Sequence, residues 1–281
     1  MLCWMNGQII SENEMCLSPF DHGVLYGHGS FETFRSYRGK VIFLDYHFSR
    51  LCHALTMMHI HIPFTLTELQ RVIQQLQELG AGSDGIYKVI VTAGKPNSAK
   101  IYYENPNVIL LRTPIDDIKR GAEKNGQWLK THHFPRNKEL FVRGLEYSDY
   151  IMGQMELIDK SNYEGILTNE RGVVTEGLRS NIFWAKNDIL YTPCLSTGIV
   201  RGITREWIIK IAKEVGFEVR EGEFWQEDVE QAYECFMTNA VEELVAIREI
   251  GNVRFAGNEG PVYNRLYNAY LYIIEQKLKG E

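Results

Sequence analysis

Long apolar runs, an excess of positive charge and paired cysteines are all missing from this sequence, and each gap removes a class of protein. No apolar stretch approaches the roughly 20 residues a helix needs to cross a bilayer; the runs at 41–44 and 108–111 are strand-length. Thirty basic side chains face thirty-six acidic ones, a formal charge of −6, so the basic footprint of a nucleic-acid binder is absent. The five cysteines (Cys3, Cys16, Cys52, Cys194 and Cys235) are odd in number and form no C-x-x-C pair. That pattern excludes a zinc knuckle or disulfide framework and predicts a reduced protein of the cytoplasm. No G-x-G-x-x-G follows a strand, and neither a phosphate-binding G-x-x-x-x-G-K-[ST] nor an H-E-x-x-H occurs. Gly82 and Gly85 flank a near miss for a nucleophile elbow, but they follow a helix pattern and precede a strand, the reverse of the order such an elbow needs. His47, His53, His59 and His61 are not spaced to put three on one helical face, so no metal site is expected.

What remains is a globular composition, 44% hydrophobic and 23% charged, over 281 residues, room for about two domains. Alternation through 26–37, a glycine turn at Gly39 and the run 41–44 predict a strand, a turn and a returning strand. Two amphipathic helices follow, the first capped by Asp45 with Phe48, Leu51, Leu55 and Met58 inward. The second is capped by Thr67, carries Leu69, Val72, Ile73, Leu76 and Leu79, and stops at Gly80. Strands are expected at 86–92 and 107–112, and the charged, glycine-containing stretch 113–126 reads as a linker. Beyond it the patterns predict strands at 127–133, 163–168, 173–176, 181–185, 189–192, 234–238 and 244–249. Helices are expected over 146–160, from Ile203 to Gly216, and from about 262 onward. The expectation is an α+β protein in two parts, a smaller domain at 1–115, a linker at 116–126 and a larger domain at 127–281.

Three separated stretches carry the composition of an anion site. Gly202, Ile203 and Thr204 stand at a helix start, where free backbone amides and the positive dipole end can grip a phosphate; Thr204 is equally suited to be a plain cap. Arg50 sits among apolar neighbours on the first helix, placed either to meet an anion or to snorkel to water. Glu176, followed by Ser180 and Asn181, puts a carboxylate beside a glycine, suited to a protonated ring nitrogen or to an ordinary hairpin.

In order and spacing, Arg50, Glu176 with Ser180 and Asn181, and Gly202 to Thr204 resemble the pyridoxal-phosphate motifs of the fold-type IV, or class IV, aminotransferase family, and the likeness spans essentially the whole chain. The resemblance implies a two-domain α+β fold similar to D-amino-acid aminotransferase, a homodimer, a small-molecule amino substrate and pyridoxal 5′-phosphate as cofactor. Carried over by position, Arg50 and the Ile203 and Thr204 backbone would bind the phosphate and Glu176 the pyridine nitrogen, with Ser180, Asn181, Gly202, Thr238 and Asn239 around them. An anionic partner keeps that nitrogen protonated and the ring an electron sink. Within the family, the stretches 18–35 and 236–239 look most like bacterial 4-amino-4-deoxychorismate lyases, which eliminate pyruvate to give 4-aminobenzoate for folate synthesis. A class IV aminotransferase acting on D- or branched-chain amino acids, and a non-catalytic homologue, are the alternatives. Thr33 is a further candidate for catalysis, and His22, His28, Tyr87 and Lys88 for substrate contact, by their nearness to the matched motifs.

One position departs from the family. Its Schiff-base lysine precedes the glutamate motif by about 30 residues in a Leu-Lys-Ser-x-x-Tyr stretch; here Leu145 and Tyr150 align, and Glu146 stands where the lysine should be. Tyr147 replaces the serine, and Ala240 falls where relatives often carry a hydroxyl. A carboxylate can move a proton but cannot form an imine. Lys138, eight residues earlier, and Lys88, on the strand expected at 86–92, are the alternative lysines, and Lys88 is equally suited to substrate or core pairing.

Overall fold

A computed structural model of the chain describes residues 2–80, 82–97, 102–115, 118–132 and 144–280. It divides into two compact units, one of Met1–Asp117 with Val142–Glu146 and one of Ile118–Phe141 with Tyr147–Glu281.

The first unit is built on a sheet of six described strands. Its elements are β1 (Leu2–Met5), β2 (Gln8–Ser11), helix α1 (His22–Tyr26), β3 (Gly29–Tyr37), β4 (Lys40–Val41), helices α2 (Leu44–Met57) and α3 (Leu66–Leu79), β5 (Gly85–Thr92) and β6 (Asn107–Pro114). The strand order is β2-β1-β6-β5-β3-β4, every neighbour antiparallel. The α3 stripe forms at Leu69, Val72, Ile73 and Leu76, which are buried, but Leu79, expected on it, is exposed at the end of the helix. With Leu51 and Leu55 of α2 it packs on Phe34, Tyr87, Val89 and Leu110 of the sheet.

Local chemistry moves several boundaries. The cap of α3 is Thr65, not Thr67: its hydroxyl accepts from the Glu68 amide while the Glu68 carboxylate accepts from the Thr65 amide. The run 41–44 is not a full strand; β4 ends at Val41, Phe43 turns the chain with φ +62°, and α2 begins at Leu44 without a side-chain cap. Residues 22–26, expected as strand at their end, are helical because Asp21 accepts from the Gly23 amide, and Gly27 at φ +66° closes the turn.

The second unit holds nine described strands. They are β7 (Glu123–His132), β8 (Tyr163–Thr168), β9 (Val174–Gly177), β10 (Asn181–Lys186), β11 (Ile189–Pro193), β12 (Glu218–Gly222), β13 (Glu234–Asn239), β14 (Glu243–Ile250) and β15 (Val253–Arg254). Helices α4 (Ser148–Met155), α5 (Ile203–Glu214), α6 (Gln226–Glu230) and α7 (Pro261–Lys279) complete it. The path runs β12-β11-β10-β13-β14-β7-β8-β9, with β15 on β14. The sheet is mixed: β11–β12, β14–β7 and β7–β8 are parallel. Residues 123–126, read as linker, belong to β7 because they pair with β14. The helix expected over 146–160 shortens to α4, capped at Glu156.

Alternation in β10 and β13 gives each sheet face its own core. Ile182, Trp184, Cys235 and Met237 pack with Val174 and Ile247. Phe183 and Phe236 stack at 5.3 Å, and Tyr263 of α7 meets Phe236 edge-on at 5.8 Å. The start of α7 is held by Glu234, whose carboxylate accepts from the Val262 and Tyr263 amides at 3.1 and 2.7 Å.

Leu55 of α2 is fully buried against the first sheet. Leu55→Ala is expected to cost about 2–5 kcal/mol, read as a lower denaturant midpoint for the first unit; an unchanged midpoint would contradict this packing.

Candidate functional site

In the second unit the candidate residues converge on Glu176. Its side chain is 3% exposed on β9, and a carboxylate so placed needs donors. Tyr150 of α4 donates to Oε1 at 2.5 Å, and the Asn181 amide (3.2 Å) and the Val200 backbone N–H (3.0 Å) donate to Oε2. Burial, followed by the charge of Glu176, pushes the Tyr150 phenol well above its usual range, so it remains a donor. Tyr147 stacks on Tyr150 at 4.2 Å, with the rings 8° from parallel.

Asn181 ties this carboxylate to the start of α5. Its amide also donates to the Val200 carbonyl at 3.0 Å. A Cβ on Gly202 would lie 1.9 Å from Asn181 Oδ1, so only glycine fits. Gly202 is the N-cap of α5, extended and without a side-chain cap, which leaves the first amides of the helix, Ile203 and Thr204 among them, without intrahelical acceptors. Across the ladder Asn181 pairs with Thr238 of β13. The Thr238 hydroxyl is buried with no hydrogen-bond partner among the described residues, an unmet polar group of the kind that calls for a ligand or water. Thr204 is buried at the start of α5. Glu176, Asn181, Gly202, Ile203, Thr204 and Thr238 are therefore one constellation.

Two expected members have side chains committed elsewhere. The Ser180 hydroxyl donates to Glu164 Oε1 at 3.0 Å, beside the Arg179 amide. Burial raises the Glu164 carboxyl despite Lys124 nearby. Asn239 caps the turn that follows it, accepting from the Val241 and Glu242 amides and donating to Glu242 Oε2 at 3.0 Å.

In the first unit, Arg50 of α2 meets Glu32 of β3 in two bonds, Nε to Oε1 at 2.6 Å and Nη2 to Oε2 at 2.7 Å, and His47 Nδ1 adds a third at 2.7 Å. Burial raises the Glu32 carboxyl, but the Arg50 charge and the bonds from His47 and Arg50 outweigh it and bring the pKa to about 2. Neither Glu32 nor His47 was anticipated. The legible signal is the pair His47 and Arg50, three apart on one helix and so on one face, following a strand that carries an acid.

His22 Nδ1 meets the Tyr103 hydroxyl at 2.9 Å, and His28 Nε2 donates to the Met58 carbonyl at 3.0 Å. Thr33 is half-buried on β3 and pairs with Lys88 across the ladder; the Lys88 ammonium lies 4.4 Å from the centre of the Phe31 ring. Tyr87, expected at the substrate, is instead fully buried in the core against Phe34. Lys138 lies outside the described residues.

Glu146 is exposed. A Cβ at Gly27 would come within 2.7 Å of Glu146 Cγ, so the side chain lies directly over that glycine. The Leu145 amide donates to the Gly29 carbonyl at 3.1 Å, holding the segment against the first unit's β3. No hydrogen bond or ion pair among the described residues engages the Glu146 carboxylate.

Known proteins resemble this chain over most of its length. The profile of amino-transferase class IV matches residues 29–250. The chain is 32% identical to aminodeoxychorismate lyase of Bacillus subtilis, over 96% of this chain and 93% of that one. It superposes on the branched-chain aminotransferase of Thermoproteus uzoniensis, solved with norvaline, at a TM-score of 0.86 and 25% identity, covering 98% and 94%. The T.th. branched-chain aminotransferase with pyridoxamine 5′-phosphate gives 0.83 and 25%, covering 96% and 92%.

The Glu32 carboxyl sits below its ordinary 4.5 at about 2, so its contribution is complete above about pH 4.5 and is lost as pH falls toward 2. At 1.36 kcal/mol per unit this amounts to about 3 kcal/mol. Urea midpoints across that interval are expected to fall less steeply for Glu32→Gln than for the unaltered chain; equal slopes would contradict the buried ion pair.

Proposed function

The chain belongs to the class IV aminotransferase family, and from that premise we propose that it binds a pyridoxal-type phosphate and acts in the lyase branch, eliminating pyruvate from 4-amino-4-deoxychorismate to leave 4-aminobenzoate. The observation that carries the lyase branch is the 32% identity to the Bacillus subtilis lyase over nearly the full length of both chains. The missing lysine favours the same choice, because transamination passes through that amine in both half-reactions.

The groups present suit the cofactor at two of its three points of attachment. The unpartnered Thr238 hydroxyl and the uncapped start of α5 suit a phosphate; Arg50, which the resemblance makes a further phosphate contact, is paired in two bonds with Glu32. Glu176, oriented by Tyr150 and Asn181, suits a protonated ring nitrogen. Ser180 and Asn239 serve through the loops they brace. The third point does not fit: Glu146 offers a carboxylate where an amine would tether the aldehyde. When bound, the cofactor supplies a carbonyl for the substrate's amine and an electron sink for the bond that breaks.

The chain's own residues then hold and steer. Glu146 can accept and return a proton at a carboxylate oxygen, with the Thr33 hydroxyl as the second proton-handling group. His22, His28 and Lys88 are the polar side chains of the first unit proposed to orient the substrate. The same footing gives a homodimer in the cytoplasm. Phe20, Val24, Leu25 and Tyr26 on one unit, and Ile151, Met152, Met155 and Ile158 on the other, are the exposed apolar groups a second copy would cover.

The test is product formation with pyridoxal 5′-phosphate added. Pyruvate and 4-aminobenzoate are expected without any amino acceptor, slowly in the unaltered chain and at least about 10²-fold faster in Glu146→Lys, the scale of a positioned proton carrier. Amino transfer that requires a keto acid, with no 4-aminobenzoate from either protein, would overturn the lyase assignment.

A further inference from the structure

Within the first unit, a cavity of about 380 Å³ lies between the beginning of α3 and the sheet, in the size range of small-molecule sites. Trp4 of β1 stands opposite Leu110 of β6, and Leu110 opposite Val89 of β5, so the three share one face of the sheet and line the cavity together. Leu69 and Val72 of α3 and the Phe64 ring line it from the helix side. Its polar lining is small: Asn6, Glu68, Arg71 and the Trp4 indole.

Two of those four are used up within the fold. The Asn6 amide donates to Asn107 Oδ1 at 2.8 Å, and its Oδ1 accepts from the Val108 amide at 2.8 Å. The Glu68 carboxylate accepts from the Thr65 amide and hydroxyl at 2.7 and 2.9 Å. No hydrogen bond or ion pair among the described residues engages the Trp4 indole N–H or the Arg71 guanidinium. What is left over is all donor, because neither an indole N–H nor a guanidinium accepts.

We propose that this cavity binds a small aromatic monocarboxylate, at a site that shares no residue with the Glu176 constellation. A carboxylate has no donors of its own to waste, and it takes a guanidinium in a fork of parallel charge-assisted bonds. Arg71 offsets the nearby Glu68 charge for one acid group and not for two, which limits the ligand to a single carboxylate. The Trp4 and Phe64 rings select a flat aromatic body, since ring pairs gain more than their buried area alone.

Ligand-observed NMR titrations of the purified full chain with benzoate, benzamide and cyclohexanecarboxylate test this. Benzoate is expected to saturate with a Kd of about 1 mM or tighter, within the reach of so small a ligand. Benzamide, the same ring without the charge, should bind at least about tenfold more weakly, and cyclohexanecarboxylate, the same charge without the flat ring, at least about threefold more weakly. Arg71→Gln should weaken benzoate at least about tenfold and bring it close to benzamide, and Trp4→Phe, which keeps a ring and removes the N–H, should weaken it about threefold. Arg71 is exposed, so its replacement leaves the fold intact, checked by unchanged circular dichroism. No saturable binding of benzoate at about ten times the expected Kd would overturn the site. An affinity that Arg71→Gln leaves unchanged would place benzoate elsewhere on the chain and refute it equally. Benzamide or cyclohexanecarboxylate binding as tightly as benzoate would refute the ligand class.

Discussion

A buried carboxylate must be surrounded by donors or it will not stay charged, and Glu176 meets that demand from three directions. Tyr150 comes from α4, Asn181 from β10, and the Val200 amide from the loop that delivers α5. Because these bonds fix where the three segments meet, they also fix the start of α5 beside Asn181 and Thr238. Removing any one donor leaves a charge in a dry place, which is more costly than the bond itself is worth. Glu32 plays the same part in the first unit, drawing α2 onto β3 through Arg50 and His47.

The elements legible in the sequence are those whose stability is periodic and local. The α3 stripe and the hydrophobic alternation of β10 and β13 announce themselves because burial follows the helix or strand period. Caps and turns were harder, since neighbouring residues compete for one role: Thr65 and Thr67 are equally good caps on paper, and the reciprocal bond with Glu68 decides between them. The β1–β2 hairpin passed unread although Asn6 and Gly7, both at positive φ, are the residues a tight turn asks for. Residues 123–126 looked like linker because their strand character comes from β14, more than a hundred residues away.

The candidate site divides along the same line. Glu176, Asn181, Gly202 and Thr204 could be picked out because each residue type suits its chemical task, and the structure joins them. Ser180 and Asn239 share that composition, yet their side chains close the loops around Glu164 and Glu242. Tyr87 lay near a matched motif in sequence, but strand alternation sends its ring into the core. No periodicity reveals Glu32, whose value comes wholly from an arginine and a histidine on another element.

On the function proposed, the contrast is between groups that suit a phosphate and a ring nitrogen, namely the start of α5, Thr238 and Glu176, and a carboxylate, Glu146, at the position that the resemblance assigns to a lysine. The most direct measurement is an electron-density map from crystals soaked in pyridoxal 5′-phosphate. The expected result is a phosphate on the Ile203 and Thr204 amides and the Thr238 hydroxyl, a ring nitrogen on Glu176, and no continuous density from any side chain to the aldehyde carbon. A ring bound elsewhere, or density running unbroken from a lysine to that carbon, would contradict it.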